Sequence, residues 1–251
     1  MSDTKVPPPA NDSSAAAQAL PLFYRDPRPL DPAALATYGL KRGKGFAFSG
    51  MSHAVPVSLA EFALAQKHYP IVFAPGDPPM PLIALSLMRN ENLFVDAQGN
   101  WLDDSYVPAY VRRDPFVLGE VPGEQRMFLC VDVASELVSD QAPEVPFFDG
   151  QKPTELVNQA LELCRRFHED LVLTKAYCQE LNKLGILKET ELTYTAPDGQ
   201  QTAAGSFITI DPAEFEKLSD SVFMARELGP MNRMLQLSQT SAKWAFSARN
   251  P

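Results

Sequence analysis

Histidine is scarce in this sequence, with three in 251 residues. That leaves little room for imidazole catalysis or a histidine-rich metal centre. Cysteine is equally sparse: Cys130, Cys164 and Cys178 form no CxxC pair and no metal-spaced quartet. An odd count without a secretory leader points to a reducing cytoplasm and away from a disulfide scaffold. No apolar run approaches the roughly 20 residues that cross a bilayer. The opening MSDTKVPPPANDSSAAAQAL has neither the basic nor the apolar region of an export signal. Missing too are a GxSxG elbow, an HExxH pair and a GxGxxG loop. A cytoplasmic protein with no membrane span is expected, and no cofactor or reaction is assigned.

Basic charge is also in deficit, with 22 Lys and Arg against 31 Asp and Glu and a net charge of −9. A nucleic-acid surface must neutralise phosphates with clustered cations, so nucleic acid is not the expected partner. Acidity of this size serves solubility. What the chain does have is ordinary globular composition, 45% hydrophobic and 21% charged.

Residues 1–20 are rich in Pro, Ser and Ala and cannot bury enough apolar surface to offset ordering, which predicts a disordered tail. Order is expected from PLFYRDPRPLDP (21–32), where Leu22, Phe23 and Tyr24 can dock an extended chain. GFAFSG (45–50) reads as a strand after a turn at KRGKG, whose spacing is not that of a P-loop although its amides and Lys44 could receive an anion. SLAEFALAQKH (58–68) reads as a helix with Ser58 and Glu61 as its capping box. Tyr69-Pro70 ends it. Strands are predicted over 71–74, 82–88, 93–95, from Trp101, over 106–111 and over 126–133.

The second half changes period. Apolar or small residues at 156, 160, 163, 167, 171, 174, 178 and 181 form a helical stripe. It spans 153–184, with Pro153 in the first turn and Gly185 at the exit, as one helix or as two bent near Asp170. Residues 191–210 read as a hairpin turning at Asp198-Gly199. Terminal helices are predicted over 212–228 and 231–246, with Asp211 and Pro212 at the start of the first. The fold class is α+β: a mostly antiparallel sheet from the first two-thirds, packed by the long helix and the C-terminal helices.

SHAVPVSLAEFALAQKHYPIVF (52–73), NLFVDAQGNW (92–101), YVPAYVRRDPF (106–116), LCVDVASE (129–136) and SFITIDPAEFEKLSD (206–220), in this order, resemble the bacterial SapC family. The likeness covers roughly 20–245, so residues 21–251 are expected to form a single SapC-like domain. The family takes its name from a gene linked to a surface layer. Some members are encoded near flavin-dependent halogenase-like proteins, which the resemblance offers as a partner. It supplies no catalytic residues.

The local candidate site is YVPAYVRR. As a strand it would put Tyr106, Pro108 and Tyr110 on one face and Val107, Ala109 and Val111 on the other, with Arg112 and Arg113 pointing oppositely. That predicts one arginine paired with a carboxylate such as Asp103, Asp104 or Asp114, and the other in solvent. The functional alternative is a ligand site of Tyr106, Tyr110, Arg112 and Arg113, suited to a carboxylate or phosphate. His53, with Glu61 and His68, is the metal candidate, against ordinary capping roles for Glu61 and His68. Cys164 and His168 share a helix face, where a packed thiol beside a surface imidazole is the structural reading. Two functions follow: a non-enzymatic accessory or interaction protein acting on a protein or peptide partner, or a small-ligand binder or enzyme using residues 106–113 and His53.

Overall fold

The computed structural model describes residues 20–41, 45–120, 126–195 and 201–218. Its elements run β1 (Pro27–Pro29), β2 (Gly39–Leu40), β3 (Ala54–Pro56), α1 (Phe62–Ala65), β4 (Ile71–Ala74), β5 (Met80–Ala84) and α2 (Ala109–Arg112). There follow β6 (Phe116–Glu120), β7 (Met127–Asp132), the short strands β8 (Val138–Ser139), β9 (Val145–Pro146), β10 (Phe148–Asp149) and β11 (Lys152–Pro153), and the long α3 (Glu155–Leu184). The hairpin β12 (Leu187–Thr195) and β13 (Gln201–Ile210) leads to α4 (Pro212–Glu216).

The fold is α+β, with antiparallel pairing throughout these sheets. A five-stranded sheet has the order β12-β13-β4-β5-β3, and three-stranded sheets have the orders β1-β7-β6 and β8-β2-β9. One helix serves two cores. From its middle onward α3 gives Phe167, Tyr177, Cys178 and Leu181 to the cluster that includes Val55, Phe62, Phe73 and Ile83. Its N-terminal half gives Val157, Ala160 and Cys164 to a second cluster with Phe116, Val131 and Phe147. At 30 residues, α3 is about 45 Å long, enough to span both.

The helical stripe is therefore correct, with one drift. Positions 157 and 164 are buried, while Leu156 and Leu163 are only partly so. The span is one helix, ended by Gly185 in the left-handed region at φ 65°. Pro153 lies outside it, in β11, and Thr154 occupies the cap position.

Several expected elements are corrected. GFAFSG is no strand: Ala47–Ser49 is a 3-10 turn. Gly45, at φ +59°, approaches Gly99 so closely that a Cβ would sit 2.4 Å from its carbonyl oxygen, and Phe46 N–H donates to that same oxygen. The 58–68 helix is a 3-10 turn, Leu59–Glu61, followed by the single turn of α1. The strand expected over 82–88 ends at Ala84, because Leu85 and Ser86 turn their amides onto the His53 carbonyl. Around 93–101 only a Val95–Trp101 bridge forms. The 106–111 strand is replaced by α2. The Asp198-Gly199 turn, residues 42–44 of KRGKG, the tail before residue 20 and the segments beyond residue 218 lie outside the described residues.

Candidate functional site

Within the stretch 106–114, Ala109–Arg112 becomes helical because of a carboxylate far away in sequence. Glu61 is buried, and its Oε2 accepts the Ser58 amide at 3.1 Å and the Ser58 hydroxyl at 2.9 Å. Its Oε1 accepts the Ala109 amide at 2.7 Å and the Tyr106 hydroxyl at 2.9 Å. Pro108 holds extended geometry at the cap of α2, and its carbonyl takes the Val111 and Arg112 amides. One carboxylate thus caps two helical starts. Burial and the Glu61 charge push the Tyr106 phenol up to about 12.

This geometry sorts the four candidate residues into two pairs. Arg112 is exposed; its Nε donates to the Val107 carbonyl at 3.0 Å and its Nη2 to the Tyr106 hydroxyl at 3.2 Å. Arg113 is 9% exposed and stacks inside an aromatic cage, 4.2 Å from the Tyr110 ring centroid, 4.9 Å from Phe167 and 5.5 Å from Tyr24. Its Nε has no hydrogen-bond partner. Neither guanidinium makes an ion pair among the described residues, so the expected pairing with Asp103, Asp104 or Asp114 does not form. The cation is accommodated by ring faces.

The cage is closed by the N-terminal strap. Tyr24 donates its hydroxyl to the Phe116 carbonyl at 2.6 Å, and Tyr110 donates to the Leu22 carbonyl at 3.1 Å. Burial raises both phenols above their ordinary range. Beside the cage stands Asp114, whose buried Oδ2 is unpartnered. Burial, and next the charge of Asp132, push its carboxyl up to about 7 against the pull of Arg113 and Arg25. Asp132 is fully buried and is bonded by its carboxylate to the amides of Arg25, Asp26 and Ala134 at 3.0, 2.7 and 3.2 Å.

His53 is placed on an exposed loop, with its carbonyl taking the Leu85 amide at 2.7 Å and the Ser86 amide at 3.1 Å. Glu61 is occupied as described, and His68 packs its ring 5.9 Å from Tyr69. Among the described residues no three His, Cys, Asp or Glu side chains are grouped to hold a metal. His168 and Asp170 spell HxD, but positions two apart on α3 do not share a face. Cys164 is buried, and burial pushes its thiol up to about 11, which makes it a packing residue at neutral pH. An apolar groove of about 290 Å³ between β1, β7 and α3, lined by Leu30, Phe128, Phe148 and Val157, carries no charged side chain.

Tyr24 and Phe167 were not legible as partners of Arg113, nor Asp132 as the neighbour of Asp114. Asp132 had one local signal, the D-x-A spacing of an Asx turn, in which the carboxylate takes the amide two residues on.

A family model for SapC matches residues 30–228. The chain belongs to the SapC family. No curated protein and no solved structure matches it. The SapC match includes Glu61, Arg113, Asp114 and Asp132 and begins after the strap residue Tyr24. Among the described residues no helix is long and apolar enough to cross a membrane.

Proposed function

We propose that this SapC protein is a non-enzymatic accessory protein that docks a protein or peptide partner in the cytoplasm. The observation that carries the reading is a set of exposed apolar side chains on loops that hydrogen bonds hold together. Met51 is 68% exposed, Met88 50%, Leu87 46% and Leu93 44%. Asn92 Nδ2 donates to the Ser49 carbonyl at 3.2 Å, Leu85 N–H to His53 and Leu93 N–H to Leu85. Ser86 ties the tip, donating to Glu91 at 2.6 Å and accepting the Met88 amide at 3.0 Å. Adaptable methionine and leucine side chains on a braced loop suit a partner surface.

The rival reading, a carboxylate- or phosphate-binding site at Tyr106, Tyr110, Arg112 and Arg113 with metal assistance from His53, has one observation in its favour, the unpartnered Arg113 Nε. The internal use of Arg112, Tyr106 and Tyr110 weighs against it.

A flavin-dependent halogenase-like protein is the first partner to test, on the family association. The test is its binding to wild-type chain and to L87D/M88D by calorimetry. The reading expects binding that the double substitution weakens by tenfold or more, on the order of the ~1.4 kcal/mol or more that burying two such side chains contributes. Equal binding by both proteins would remove this surface from the account.

A further inference from the structure

The strap, residues 22–29, is fastened by contacts gathered around the Asp132 carboxylate, next to Asp114. β1 pairs with β7, Tyr24 reaches the Phe116 carbonyl, and the Asp132 carboxylate takes the Arg25 and Asp26 amides. Asp132 sits against Asp114 because its own amide bonds the Pro115 carbonyl at 2.9 Å where β6 begins and β7 ends. Every oxygen of Asp132 is used, whereas Asp114 Oδ2 is buried with no donor. The cations near this pair are Arg25, which donates to the Ala134 carbonyl, and Arg113, committed to its cage. Tyr24 and Tyr110 complete the titratable groups facing Asp114, and Cys164 on α3 faces Arg113.

We propose that Asp114 is a proton-operated latch on the strap: protonated, it lets the Asp132–strap bonds stand, and ionised, it drives the strap to open. Asp132 is fully buried and Asp114 half-buried beside it, so their charges repel in a medium that screens poorly, and the buried Oδ2 of Asp114 has no hydrogen bond to hold its charge until opening admits water. The strap is the element that can yield, since it enters as an extended chain and supplies Tyr24 and Arg25 as the outer cover. Opening uncovers the Tyr110 and Arg113 faces of the cage. The upward displacement of the Asp114 carboxyl to about 7 puts the transition near neutrality.

Amide exchange of residues 22–30 in the full-length protein tests this, measured at about pH 6 and about pH 8 with the intrinsic base dependence divided out. For a carboxyl that titrates near 7 when latched and near the ordinary ~4 when open, opening rises about tenfold between those conditions. D114N, which cannot ionise, is expected to keep the strap as protected at the higher pH as at the lower. D132A is expected to lose strap protection at both. Unchanged protection in the wild type across the two conditions, the same rise in D114N, or an intact strap in D132A would each overturn the latch.

Discussion

The carboxylate of Glu61 accepts the backbone amide of Ala109 at 2.7 Å, across 48 residues of sequence. This bond turns what reads as a strand into a helical turn and so decides where both arginines go. Removing it in E61A leaves the Ala109 amide, the Ser58 amide and the Tyr106 hydroxyl without their acceptor. A loss of about 3 kcal/mol or more is expected in urea unfolding, since bonds to a charged acceptor contribute ~1.5–3 kcal/mol each and do not add fully. Tyr106→Phe removes one donor and is expected to cost about 1 kcal/mol.

The two arginines should differ sharply. R113A empties a cage packed by three rings, so its expected cost is about 2–4 kcal/mol. R112A removes an exposed stack and is expected to cost about 1 kcal/mol or less. Thermal unfolding of the two variants side by side gives the ordering, and equal shifts would contradict the buried placement of Arg113.

Thr174, fully buried in α3, accepts the Leu59 amide at 2.8 Å while donating to the Asp170 carbonyl at 2.6 Å. T174V keeps the shape and strands the Leu59 amide. A loss of about 1–2 kcal/mol is expected in denaturant titration, with the m-value unchanged.

Asp114 gives stability a pH dependence of defined sign. Its folded carboxyl titrates at about 7, above the unfolded ~3.9, so the folded chain holds the proton more tightly. Its contribution is fully present below about pH 4 and fades as the unfolded chain ionises first. It is gone above the folded value, at a cost of a few kcal/mol by the ~1.36 kcal/mol per unit relation. Urea titrations of wild type and D114N should therefore diverge from about pH 4 to about pH 7, with D114N the more stable at the upper end.

Elements fixed by their own period were legible in the sequence. The α3 stripe needs only one buried face, and β4 and β7 are short apolar runs that bury wherever a sheet takes them. The α2 turn was not, because YVPAYV alternates well enough for a strand, and the acceptor that selects the helix is on Glu61. The shortening of β5 has the same origin, since the His53 carbonyl captures the next two amides. At the site, Arg112 lies by Tyr106 and Arg113 by Tyr110, yet Tyr24 and Phe167, which make Arg113 a buried cation, come from β1's approach and from α3. No spacing in the chain announces contacts made through three separate elements.

Native mass spectrometry of the untagged protein taken from its own host tests the accessory role most directly. The account predicts a chain mass without bound metal or small molecule, travelling with a second polypeptide that is lost from L87D/M88D. A retained metal or small-molecule mass that disappears in R113K, with the chain still folded, would contradict it and move the function to the arginine cage.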